Sequence, residues 1–174
     1  MAPASGHLPH DLLVAIREVY APAGLNVTPP ALREAESAEY GACRLALDGR
    51  TVVFRVAKTT PTKVGQFVTL WKRPMPDAEI APIDSDDGVA LVVVSVGEAA
   101  HRGQFVFPQK TLVDKGIMSR ANKGGKRAIR VYSPWSRPVV QEAVRTQKWQ
   151  LQYFLPLPLD ESSGPARVRQ LFAG

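Results

Sequence analysis

At 174 residues, 45% hydrophobic and 22% charged, the chain has the composition of one globular domain with a sizeable core, which excludes wholesale disorder. A single cysteine, Cys43, excludes an internal disulfide framework and any zinc-ligand spacing. The formal net charge is +6, no charged start precedes an apolar stretch, and no apolar run approaches about 18 residues, so a cytoplasmic protein without a membrane partner is expected.

Residues 1–7 read as a disordered start. Leu12, Leu13, Ile16 and Val19 then fall at helical spacing behind Asp11, and Pro22 and Gly24 end the helix. The polar stretch 28–40 opens on Pro29 and Pro30, holds Glu34, Glu36 and Glu39, and leaves room for a short helix. Residues 42–47 and 51–58 predict a β-hairpin meeting at Asp48-Gly49. A third strand is expected over 66–72, then a long acidic surface loop over 74–88. The apolar run 89–96 has too few residues for a helix and predicts a buried central strand, with 104–107 as another strand.

Pro108 suits the first turn of a short helix through Lys115, stopped by Gly116. Residues 127–132 alternate as a half-buried strand, Ile129 and Val131 against Arg130 and Tyr132. Pro138 is expected to open the last strong helix, to about Tyr153, with Val140, Val144, Gln147 and Leu151 on one face. The tail from Pro156 predicts loose docking or fraying, with 160–174 poorly ordered. The tetrapeptide Gly-Gln-Phe-Val occurs at 65–68 and 103–106, without enough surrounding similarity to make a repeat. The order of elements predicts a single α+β domain, a mixed and mainly antiparallel sheet flanked by helices.

Charge is distributed in blocks. Residues 50–73 carry six basic and no acidic side chains, 74–101 carry six acidic and no Lys or Arg, and 102–148 carry eleven basic against two acidic. Two cationic segments around an acidic one are the footprint expected for a polyanion partner, with a solvated basic surface that binds nothing as the competing reading. Phosphates are met by lysine, arginine and backbone amides, and bases by aromatic faces and side-chain amides. Lys58, Thr60, Lys63 and Gln66 offer such groups on one segment. Lys123, Lys126 and Arg127 surround Gly124-Gly125, where a phosphate could approach the backbone, and Arg130, Trp149 and Gln150 complete the candidate set. Trp71, Trp135, Trp149 and Tyr153 supply aromatic surface, with core packing as the competing reading. Gln66 and Gln150 fit either a ligand contact or a structural hydrogen bond.

Other chemistry finds little support. His7, His10 and His101 make neither a triad nor a metal cluster, and Lys58-Thr59-Thr60 lacks the glycines of a phosphate-binding loop. Asp84, Asp86 and Asp87 lack the closing glutamate of a calcium loop and read as solvated. No cofactor or metal is expected.

Five ordered blocks resemble the MepB-like family of small bacterial proteins: residues 36–40 (ESAEY), 54–58 running into 65–73 (FRVAK, GQFVTLWKR), 103–108 (GQFVFP), 125–132 (GKRAIRVY) and 147–151 (QKWQL). The resemblance spans roughly residues 34–154 and implies a restriction-endonuclease-like core, with a link to nucleic acids or nucleotides. Nucleases of that fold hold a divalent metal with two carboxylates beside a lysine. Lys58 supplies the lysine, but Val56 stands where an acid is needed. Mirroring the hairpin about Gly49 brings Lys58 near Tyr40 and Glu39, so the enzymatic alternative is a divergent metal-dependent nuclease using Glu36, Glu39 and Lys58. The reading adopted is non-catalytic binding of nucleic acid or nucleotide through a basic cleft, with a protein-interaction module as a further alternative.

Overall fold

The computed structural model describes residues 7–28 and 31–174; the start expected to be disordered lies, up to residue 6, outside the described residues. Helix α1 (His10–Ala15) runs on into a wider, π-type turn at Ile16–Tyr20. Leu12, Ala15, Val19 and Tyr20 are its buried stripe, as their spacing requires. A short strand β1 (Leu32–Arg33) follows, too brief to show any periodicity in sequence, and Ala38–Tyr40 makes one 3-10 turn.

Strands β2 (Cys43–Leu47) and β3 (Arg50–Val56) form the hairpin, pairing Leu47 with Arg50. Asp48 and Gly49 both take positive φ, 49° and 81°, which a two-residue turn matched to strand twist demands. The third strand, expected over 66–72, is two. After β4 (Lys58–Thr59), strand β5 (Gln66–Thr69) ends where the Leu70 amide donates to the Arg127 carbonyl, and β6 (Trp71–Lys72) pairs elsewhere. Its partner is β7 (Ala81–Pro82), so the acidic stretch is more than a loop.

Strands β8 (Val89–Glu98) and β9 (His101–Pro108) make a long antiparallel pair, then α2 (Gln109–Asp114) ends before Gly116 at φ 72°. Strand β10 (Ala128–Val131) has the expected alternation. Helix α3 (Gln141–Gln150) begins three residues later than Pro138 implied, because Val140 is still extended. Its Val140 and Val144 face is exposed, so the apolar stripe read there is not a core stripe. Strand β11 (Phe154–Leu157) and helix α4 (Gly164–Phe172) close the chain.

The tail therefore does not fray. Val168, Leu171 and Phe172 are buried, and Arg50 donates to the carbonyls of Phe172 and Gly174, tying the tail to the hairpin. Pro, Ser and Gly at 156–165 masked this helical spacing.

The main sheet has the order β1-β2-β3-β8-β9-β11, antiparallel except between β3 and β8. Parallel neighbours need a long crossover. Here the crossover, residues 57–88, carries β4 to β7 and so builds a second antiparallel sheet, β10-β5-β4. One face of the main sheet is covered by α1 and α4, with Val52, Phe54, Leu91, Val93 and Val106 turned toward them. The other, with Val53, Val92, Val94, Phe105 and Phe107, is covered by the second sheet and α2. Burial on both faces is why 89–96 is apolar without alternation. Arg55, 2% exposed, bridges the layers by donating from Nε to the Thr69 carbonyl (3.1 Å) and from Nη1 to Glu34 (3.2 Å). Among the described residues no helix is long and apolar enough to cross a membrane.

Candidate nucleic-acid interface

Register in the second sheet sorts its side chains. Lys58 lies opposite Phe67, and Phe67 opposite Arg130, so these three share one face. The next row, Thr59, Gln66 and Val131, belongs to the other face, where Gln66 and Val131 are buried. The outer face opens into a cleft of about 740 Å³, bounded also by the entry to α3 and the segment after α2.

Lys63, Lys126, Arg130, Trp149 and Gln150 line this cleft, joined by Lys115. Lys63 comes from the first basic block and the other cations from the second, so segments distant in sequence meet here. Glu142 is the one carboxylate among the described lining residues. Arg130 is held by Thr60, whose hydroxyl accepts from Nη2 at 2.6 Å, and its guanidinium lies 5.8 Å from the Phe67 ring centre.

The remaining candidates have other positions. Thr60 orients Arg130 from outside the cleft lining. Lys58 shares the face, but its ammonium sits 4.9 Å from the centre of the Tyr40 ring, the neighbour the mirrored hairpin anticipated. Gln66 donates to Thr59 Oγ1 and to the Gly97 carbonyl, both at 3.0 Å, and so joins the two sheets instead of facing the cleft. Gln150 lines the cleft yet is 1% exposed: Nε2 donates to the Arg130 carbonyl (3.0 Å) and Oε1 accepts from the Tyr132 amide (2.8 Å), pinning α3 to β10. For both glutamines the structural hydrogen bond is what the fold uses. Lys123 and Arg127 are exposed and lie outside the cleft lining.

The loop before β10 is organised by the acidic segment. Asp84 is 2% exposed, which corrects its reading as part of a solvated loop. Its carboxylate accepts from Ser119 Oγ (2.6 Å), the Asn122 amide (2.8 Å) and the Asp86 amide (3.0 Å). The Ser119 hydroxyl first, then the two amides, hold its pKa down to about 2. An anion thus sets the start of the cationic loop.

The acids considered for a metal are occupied or apart. Glu36 accepts from Arg73 Nε (2.7 Å) and Trp71 Nε1 (3.0 Å), and these bonds, Arg73 foremost, hold its carboxyl below the ordinary range. Glu39 is exposed. Among the described residues no group of three or more His, Cys, Asp or Glu could hold a metal ion.

Aromatic surface also divides. Trp71 serves Glu36, Trp135 stacks on His101 at 5.1 Å, and the Tyr153 hydroxyl bonds Thr111. Trp149 faces the cleft with Phe107 at 5.5 Å and the Lys115 ammonium at 5.5 Å already packed on it. Phe67, Tyr132, Val64, Val139 and Val140 also line the cleft, none of them a site candidate from sequence. Tyr132 was in reach, since it shares the outward phase of Arg130. Its ring lies over Gly65, where a Cβ would come within 2.7 Å of Cδ1.

A search of the curated proteins returned no match. Among solved structures the chain is similar to one described as the crystal structure of MepB, with a TM-score of 0.70 and 32% sequence identity, over 78% of this chain and 87% of the other. The family model described as MepB-like matches residues 34–156, which hold all three sheets apart from β1 and the end of β11, together with the whole cleft, and the chain therefore belongs to the MepB-like family.

Proposed function

We propose that the protein binds nucleic acid or a nucleotide, without cleaving it, in the cleft between the second sheet and α3. One observation carries this reading: Lys63, Lys115, Lys126 and Arg130 meet around a single concavity that also presents aromatic and apolar surface. Clustered cations against low-dielectric walls raise the local potential, and phosphates respond to that field before any base is read. Among the described residues no element suggests a major-groove reader, so sequence preference is expected to be slight.

The test is fluorescence anisotropy of a labelled oligonucleotide across a salt series. Binding should weaken steeply with salt, and Lys63→Ala with Lys126→Ala should lower the slope of log K against log salt by about two. Arg17→Ala with Arg169→Ala, on the α1 and α4 side, should leave it unchanged. Absence of binding at low salt sinks the reading. Competition by free nucleotides separates it from a protein-docking face. Magnesium-dependent cleavage that survives purification and vanishes in Glu39→Ala would promote the nuclease alternative instead.

A further inference from the structure

We infer that the cleft is built for an unpaired strand rather than a duplex, with a base seated on an apolar lip at the entry to α3. This rests on the reading above and specifies its ligand. Three of the residues lining the cleft are valines that the fold leaves open: Val139 is 87% exposed, Val140 66% and Val64 44%. Val139 and Val140 precede α3, Val64 precedes β5, and Arg130 donates toward the Val64 and Gly65 carbonyls at 3.4 Å. Apolar groups and cations therefore share one rim.

A phosphate gains nothing from a valine. A duplex keeps its base faces stacked inside and shows a protein only phosphate, sugar and groove edges, which would leave this lip unused. An unpaired strand presents both parts together: a flat apolar base face for the lip and Tyr132, and the adjoining phosphates for Lys63, Lys126 and Arg130. Glu142, beside the same lip, adds an acceptor for the amino edge of a seated base. Because every base has an apolar face, the lip itself accepts any base, and Glu142 adds a mild preference for those that carry an amino group.

The experiment compares a labelled single-stranded oligonucleotide with its duplex of equal length, bound to the full chain at one salt concentration. The single strand should bind about tenfold tighter, equivalent to about 1.4 kcal/mol. Val139→Ser with Val140→Ser changes only exposed side chains, so folding should be retained, and a melting curve checks this. In that variant the single strand should fall to the affinity of the duplex, while duplex binding stays within about twofold. Equal affinities in the wild type, a duplex preference, or a single-strand preference that survives the double substitution would each overturn the inference and leave the basic-cleft reading standing. Failure to bind either form would end both.

Discussion

The tetrapeptide Gly-Gln-Phe-Val is written twice and used in two ways. At 103–106 it lies in β9, inside the main sheet, and Phe105 is fully buried against Phe107 and Phe154. At 65–68 it enters β5, and Phe67 is only partly buried, under the Arg130 guanidinium in the cleft. Each glycine is a place of close approach, Gly103 beneath the Phe154 ring and Gly65 beneath Tyr132. Both valines, Val68 and Val106, are core. The difference between the copies lies in what covers the aromatic face of each strand. A strand covered on both sides turns a phenylalanine into core, whereas an open outer face turns the same residue into site.

Truncating the two rings should part the copies most widely. Phe105→Ala removes a buried ring and should cost about 3–5 kcal/mol in denaturant unfolding. Phe67→Ala should cost less, about 1–2 kcal/mol, since part of its surface is in water already. Its larger effect should be weaker oligonucleotide binding. Similar losses of stability would erase the distinction.

The glycines offer the next test. A Cβ on Gly103 would strike the Phe154 ring and come within 2.8 Å of the Leu155 carbonyl. Gly65 already stands at φ 82°, and a Cβ there would meet the Val131 carbonyl at 2.9 Å as well as Tyr132. Either Gly→Ala change should cost about 1–3 kcal/mol, by overpacking at Gly103 and by overpacking plus left-handed strain at Gly65. Only Gly65→Ala should also alter ligand affinity, because the ring it displaces lines the cleft. An equal effect on affinity from Gly103→Ala would break the comparison.

The smallest effects belong to the glutamines. Gln66→Leu loses the bonds to Thr59 and Gly97 and should cost about 1–2 kcal/mol, part of it from the stranded Gly97 carbonyl. Gln104 is buried and its amide oxygen has no hydrogen-bond partner among the described residues, but its side chain lies against the buried Tyr20 hydroxyl, so Gln104→Leu should cost less than Gln66→Leu, about 1 kcal/mol at most. A large loss at Gln104 would show that its amide is as structural as that of Gln66.

Where local physics decides, the sequence alone determined the outcome. Asp48-Gly49 can supply two positive φ values in succession, so the hairpin was readable without a structure. The run from Val89 to Val96, apolar except for Ser95, leaves no polar face, so it must be a strand covered on both sides. The stripe Leu12, Ile16, Val19 declares its helix in the same way. The five ordered blocks carried the family. Tertiary structure alone decided that 66–72 would split at Leu70, because Gln66–Thr69 pairs with β10 while Trp71 and Lys72 pair with Pro82 and Ala81. It alone brought Lys63 and Lys126 to one cleft, through a register of β5 with β10 that no local periodicity encodes. It turned Gln66 and Gln150 inward to carbonyls and an amide invisible from their neighbours in sequence. It also drew the Asp84 carboxylate out of an acidic run to cap a basic loop. A side chain's charge and shape are local properties, but its partner across a crossover depends on the path of the whole chain.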